Sequence, residues 1–170
     1  MSKKDRFAGF LVVMLMIVLT SSGCTLSNTP RRSLSELRTA LLNHDADTAL
    51  RYIDVDSVVD AMVRDIFLEY EAKADNPLME LGLKVGKEVA GVVMPGVRAI
   101  ARRQVRTAIT SGDQWGYFED IRKASVWYLN IRVDGDMAVV EPKGRSSRGF
   151  KMFRAGEGHW KIVEIFRKRD

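Results

Sequence analysis

The stretch "SVWYLNIRVDGDMAVVE", residues 125–141, decides the fold class. From Ser125 the apolar side chains recur at every second position, which is the spacing of a half-buried β-strand. The pair Asp134-Gly135 between the two runs is typical of a two-residue hairpin turn. The stretch therefore predicts two antiparallel strands, the second of which covers residues 137–141.

Two later segments continue this pattern. "FKMFRA" (150–155) and "HWKIVEIFRK" (159–168) are separated by a Gly-Glu-Gly turn. Four successive strands joined by short turns predict an antiparallel meander. Because the segments before them have helical periodicity, we expect an α+β fold, with N-terminal helices packed on a C-terminal four-stranded antiparallel β-meander.

The helical region contains several start signals. Ser33 and Glu36 have the spacing of a capping box, which predicts a first helix from residue 33. A short helix restarts near Asp47. Asp56 is then a candidate N-cap for a helix whose apolar positions recur at helical spacing as far as about Ala74.

A glycine-rich segment follows, "LMELGLKVGKEVAGVVMPGVRAIARRQVRTAIT", residues 78–110. Each glycine inside a helix costs about 1 kcal/mol relative to alanine. One interpretation is that the glycines allow close packing against another element, and this interpretation is favoured. The alternative is an irregular or adaptable stretch that touches a membrane. Pro95 predicts a kink or a restart of the helix.

The charges of the chain are unevenly placed. Cys24 to Leu81 carries 6 basic and 11 acidic residues, whereas Gly82 to Asp170 carries 18 basic and 10 acidic residues. A basic half of this kind attracts anionic lipid, cell-wall polymers or nucleic acid, and the favoured alternative is a basic surface that is simply solvated. An exported protein rarely meets nucleic acid, so we expect no nucleic-acid partner.

Basic side chains form two candidate anion sites. Arg98, Arg102 and Arg106 share one helix face, and guanidinium groups bind phosphate or carboxylate. They could contact lipid headgroups or pair with the acidic N-terminal half. The loop "KGRSSRG" (143–149) places Lys143, Arg145 and Arg148 around backbone N–H groups, an arrangement that suits an anion and equally suits a soluble hairpin loop.

The N-terminus has the pattern of an export signal. Three basic residues precede Phe7 to Thr20, an apolar run of 14 residues, and a membrane span needs about 20. The run ends in "TSSGC", which contains the chain's single cysteine, Cys24. This sequence resembles the lipobox of bacterial lipoproteins, although Ser21 stands where leucine is most usual.

The lipobox resemblance implies three segments and an address. Residues 1–23 are a lipoprotein signal peptide, 24–32 a lipidated cysteine with its tether, and 33–170 a single α+β domain. Acylated Cys24 would anchor the protein in the bacterial cell envelope, facing the periplasm. Thr25 stands where aspartate favours retention at the inner membrane, so the outer membrane is favoured.

Two further resemblances concern the body. "LRTALLNHDADTALRYID" and "WKIVEI" resemble segments of a family of bacterial exported proteins classed as a domain of unknown function. That family carries no catalytic motif here and transfers no site. The order of helices followed by a curved meander is loosely similar to nuclear transport factor 2-like and cystatin-like architectures, many of which enclose a pocket.

The apolar side chains of the strands have two interpretations. They form the core, which is favoured, or they line a hydrophobic ligand pocket between sheet and helices. The residues concerned are Trp127, Leu129, Phe150, Trp160 and Ile162.

Reactive side chains give no catalytic prediction. His44 and His159 lack a partner at metal-ligand spacing, and we expect both to be turn residues. We predict no catalytic residue, no metal site and no cofactor.

These observations lead to three candidate functions. The favoured one is a non-catalytic, envelope-anchored binding or interaction module, whose partners are the membrane and either envelope proteins or anionic lipid. The alternative is a carrier of a small apolar or lipid-like ligand. A hydrolase of envelope material is the third.

The first prediction concerns Cys24. Radiolabelled palmitate should enter the wild-type chain and be absent from Cys24→Ala, because the thiol is the acylation site of a lipobox. Equal labelling of both chains would contradict the lipoprotein resemblance.

Overall fold

The computed structural model describes residues 29–73, 77–112, 121, 126–143 and 148–167. Within these residues helices precede one four-stranded antiparallel sheet, which confirms the predicted α+β fold. The helices are α1 (Pro30–Leu42), α2 (Ala46–Arg51), α3 (Val55–Glu71), α4 (Pro77–Ser111) and a single 3₁₀ turn (Val126–Tyr128). The strands are β1 (Leu129–Asp134), β2 (Met137–Pro142), β3 (Arg148–Arg154) and β4 (Trp160–Arg167).

The sheet is a meander in the order β1-β2-β3-β4. Asp134 pairs with Met137, so Gly135 and Asp136 are the two loop residues of the first hairpin. Gly135 has φ 56°, a value that its lack of a side chain permits at no steric cost. The first strand begins at Leu129 and not at residue 125, because residues 126–128 form the 3₁₀ turn.

A β-bulge between β3 and β4 sets the core face of the last strand. Lys151 pairs with Glu164 and Met152 with Ile162, so Val163 is the additional residue on β4. The bulge lets Ile162 and Ile165 both contribute to the hydrophobic core, although their spacing is odd.

The helices cover one face of this sheet. Fully buried side chains of the sheet meet those of α1 in one cluster that also includes residues of the other helices. Those with the largest volumes are Trp160, Leu34, Leu37, Met152, Ile162 and Val140. Burial of this apolar surface, at about 25 cal/mol per Å², is the main force that holds the two layers together.

The outer edge of β4 is hydrogen-bonded to the helical layer. Ile162 donates its N–H to the Tyr52 carbonyl at 2.8 Å, and its carbonyl accepts from Asp54 N–H at 2.9 Å. The Ser33 hydroxyl accepts from Trp160 N–H at 3.0 Å. These bonds satisfy groups that an edge strand otherwise leaves open to other chains.

Two predicted helix starts differ from the structure, and one is confirmed. The first helix begins at Pro30, with Thr29 as its N-cap, and Ser33 lies inside it. The second begins at Ala46, near Asp47 as predicted, and the carboxylate of its N-cap Asp45 accepts from Thr48 N–H at 3.0 Å. The third uses Asp54 and not Asp56. The capping-box prediction fails because Ser33 is buried and bonds to β4 instead of its own helix.

The glycine-rich segment forms one helix, α4, of 35 residues. The prediction of close packing is wrong for Gly82, Gly91 and Gly96, since an added Cβ at these positions meets no atom within 4 Å. Only Gly86 lies near another side chain, that of Phe67, among the glycines of α4. The helix also runs through Pro95, which is exposed, so the carbonyl that loses its helical partner can bond to water.

The buried Ser33 generates the second prediction. Ser33→Ala should lower the free energy of unfolding by about 1–3 kcal/mol, because it removes the Ser33 acceptor from the buried Trp160 N–H. Denaturant melts measure the change. Ser35→Ala, the same substitution at an exposed position of α1, is the matched control and should have little effect. Equal effects of the two substitutions would mean that the Ser33 bond contributes nothing.

Candidate functional site: an apolar face on the long helix

The arginine stripe predicted from the sequence faces aspartates of the N-terminal half. Arg98 makes two hydrogen bonds to Asp60, at 2.9 and 2.8 Å. Arg102 likewise donates two hydrogen bonds to the Asp56 carboxylate, and the bond from Nε measures 2.7 Å. We call these contacts, with the one described next, the arginine–aspartate ladder.

The third contact of the ladder lies at the C-terminal end of α4. Arg106 Nη1 is 2.7 Å from Asp47 Oδ1, on α2. The ladder thus fastens α4 to both α2 and α3, and its two-bond contacts fix orientation as well as charge. The sequence prediction that Arg98, Arg102 and Arg106 contact lipid headgroups is therefore not supported, because each guanidinium already has a carboxylate partner.

The second predicted anion site is only partly described. Lys143 is exposed, and its backbone N–H donates to the Tyr128 carbonyl at 2.7 Å. Arg148 begins β3 and is half-buried. Arg145 lies outside the described residues, so the anion-site prediction for this loop remains a prediction.

Four of the five predicted pocket residues are in the core. Leu129, Phe150, Trp160 and Ile162 are buried in the cluster between sheet and helices. Trp127 is not, because it lies in the 3₁₀ turn with 74% of its surface exposed. The prediction of Trp127 as a core or pocket residue is wrong, since the alternating pattern does not extend past Leu129.

Each histidine joins two elements through a backbone carbonyl. A ring nitrogen of His44 lies 3.1 Å from the Ile109 carbonyl near the end of α4, a carbonyl that also accepts from Gly112 N–H at 3.3 Å. His159 Nε2 lies 3.0 Å from the Arg51 carbonyl at the end of α2. Both therefore have structural roles as helix-end contacts.

The most unusual surface of the described chain lies on α4. Six large aliphatic side chains on it are exposed: Val85, Val89, Val92, Val93, Val97 and Ile100. We call this set the apolar face. Val92 is 82% exposed, the highest value in the set. The residues recur at spacings of three and four, so they form one stripe along the helix.

Large apolar side chains are also exposed at the end of α3. Ile66, Leu68 and Tyr70 are each more than half exposed. Among the described side chains of α4, those buried in the core cluster are Val105 and Ile109, close to its C-terminal end. We call the N-terminal part of α4, together with the C-terminal part of α3, the arm.

The arm has the chemistry of a binding surface. Contiguous exposed apolar side chains are costly in water and commonly mark a protein or membrane contact. The described residues bring together no three His, Cys, Asp or Glu side chains that could hold a metal ion. No helix in the described part of the chain is long and apolar enough to cross a membrane.

Comparison with protein-family models, curated proteins and solved structures finds no match. The resemblances noted in the sequence remain predictions.

The sequence carried a signal for the apolar face that the glycine pattern obscured. The aliphatic residues of 85–100 already have helical spacing, and the stretch 89–97 has no charge. That period could have predicted an amphipathic helix. It could not say whether the apolar stripe was covered, because that depends on the other elements.

The ladder generates the third prediction. Hydrogen bonds from Arg102 lower the pKa of Asp56 below its ordinary value of 3.8. The contribution of the contact to folding stability is therefore complete at pH values above 3.8. It is lost as the pH falls through the lower pKa that Asp56 has in the folded state. Asp56→Asn should remove this part of the acid-induced loss of stability.

Thermal melts across the acid range measure the effect. Asp65→Asn, at an exposed carboxylate of the same helix, is the control for the general effect of removing one negative charge from α3. If Asp56→Asn keeps the same dependence as wild type, the Asp56–Arg102 contact does not contribute in solution.

Proposed function

We propose that this protein is a lipid-anchored component of the bacterial cell envelope that acts as a non-catalytic interaction module. The apolar face of α4 is the observation that carries the proposal. Its function would be to bind another envelope protein through this face.

The anchoring part of the proposal rests on the N-terminal sequence. A basic start, a short apolar run and "TSSGC" together have the order of a lipoprotein signal. Two or three acyl chains on Cys24 would hold the protein firmly to the membrane, whereas one would not. The outer membrane remains favoured, because Thr25 follows the cysteine.

The chemistry of the apolar face defines the partner. Val89 to Val97 contains no charged residue, so the partner must offer an apolar surface there. Arg103 is exposed and continues the line of the stripe one turn beyond Ile100. A partner helix or groove with apolar residues and a carboxylate at one end is complementary to this arrangement.

The carrier alternative has less support. A carrier needs a cavity of several hundred Å³ between sheet and helices. Leu129, Phe150, Trp160 and Ile162, which would line such a cavity, instead pack into the core with residues of α1. The burial of these side chains in one cluster favours recognition at the surface over binding inside.

The fourth prediction tests the proposed binding face. A photo-crosslinking residue at position 92, introduced into the full chain in its native envelope, should give one discrete adduct with a protein. The matched control is position 133, a valine that is 54% exposed on the sheet, and it should not give that adduct.

Rebinding of the identified partner completes the test. The purified partner should bind the wild-type chain and Val133→Asp but not Val92→Asp, because a charge in the stripe opposes desolvation of the interface. Adducts only with lipid, or only with a second copy of the chain, would contradict the proposal. So would identical adducts from positions 92 and 133.

A further inference from the structure

A second exposed surface lies in the 3₁₀ turn before β1, beside the first turn of α1. Trp127 and Tyr128, in the 3₁₀ turn before β1, are 74% and 67% exposed. By contrast, Trp160 is fully buried. Tryptophan and tyrosine combine an apolar ring with a polar tip, so a solvent-facing pair is suited to a boundary between water and an apolar phase.

Two basic residues, Arg31 and Lys143, contact the aromatic pair or its backbone. The Arg31 guanidinium lies 5.2 Å from the centre of the Trp127 ring and donates to the Val126 carbonyl at 2.8 Å. Lys143 is exposed, and its backbone is bonded to Tyr128. We call Arg31, Trp127, Tyr128 and Lys143 the tether patch. The neighbouring Arg32 lies 3.5 Å from Glu36, so its charge is partly balanced.

The position of this patch follows from α1. Arg31 is in the first turn of α1, and the N-cap Thr29 precedes it. Cys24 is five residues before Thr29. Because an extended chain spans at most about 3.6 Å per residue, this connection reaches no farther than about 18 Å. An acyl group on Cys24 would therefore hold the start of α1, and the tether patch beside it, within about 18 Å of the lipidated residue, which is close enough for the patch to reach the headgroup layer.

We propose that the tether patch rests on the lipid headgroup layer and fixes the orientation of the body on the membrane. Trp127 and Tyr128 would enter the boundary between headgroups and acyl chains, and Arg31 and Lys143 would lie near lipid phosphates. The proposal rests on the proposed lipid anchoring and adds a second, non-covalent contact to it.

A weak contact is sufficient at this position. The tether makes patch binding intramolecular, so the local lipid concentration is already high. Each cation near an anionic surface raises binding about fivefold at low salt. The arginine–aspartate ladder cannot make this contribution, because its guanidinium groups are already paired with aspartates.

The fifth prediction uses the acylated full chain in vesicles of zwitterionic and anionic lipid. Some acyl chains carry bromine, which quenches tryptophan, either near the headgroup or near the terminal methyl. The chain has three tryptophans, so Trp115→Phe leaves Trp127 and Trp160, and further Trp127→Phe leaves only buried Trp160. The difference between these two variants reports Trp127 alone.

The expected result is that bromine near the headgroup quenches Trp127 more than deep bromine does, while Trp160 is not quenched. Arg31→Gln with Lys143→Gln should weaken the quenching of Trp127. Near-equal emission of Trp127 with and without bromine, in chains that carry palmitate and float with vesicles, would overturn this inference alone. A chain that carries no palmitate would instead overturn the proposed anchoring.

Discussion

The outer edge of β4 is the constraint on which the other contacts depend. A terminal strand presents backbone groups that must be paired or exposed, and here the helical layer pairs them. Ser33 fixes α1 against Trp160, and the Tyr52 to Asp54 connection fixes α2 and α3 against Ile162. Trp160 and Ile162, whose backbone groups make these bonds, are also among the largest fully buried side chains. The hydrogen bonds at this edge therefore also position two side chains of the core.

The position of α4 follows from the elements placed at that edge. Once α2 and α3 are fixed, Asp47, Asp56 and Asp60 present carboxylates to one side, and the arginines of α4 meet them in order. Exposed ion pairs are each worth only about 0–1 kcal/mol, so the ladder specifies alignment more than it stabilises the fold. It also turns the apolar face of α4 toward solvent, which separates the molecule into a packed body and an exposed arm.

The parts of this structure that depend on local sequence could be predicted, and those that depend on tertiary partners could not. A period of two and an Asp-Gly turn identify strands from neighbouring residues alone. Ser33 also satisfies a local capping rule, but its real partner is Trp160, 127 residues away. The charges of Arg98 and Arg102 could be read from the sequence, but the particular aspartate that each one pairs with could not. Trp127 lies two residues before Leu129 and so fits the alternating pattern of a strand, but β1 begins only at Leu129.

The unequal distribution of core contacts along α4 has an energetic consequence. Among the side chains of α4 that the structure describes, the buried ones are Val105, Ala108 and Ile109 in its last turns, and its N-terminal part contains glycines that lower helix propensity. Local unfolding of that part would cost less than unfolding of the sheet, and its amide hydrogens should exchange first. Any molecule that covers the apolar face would therefore raise the local stability of the arm. Its binding would be measurable as slower hydrogen exchange of the α4 amides.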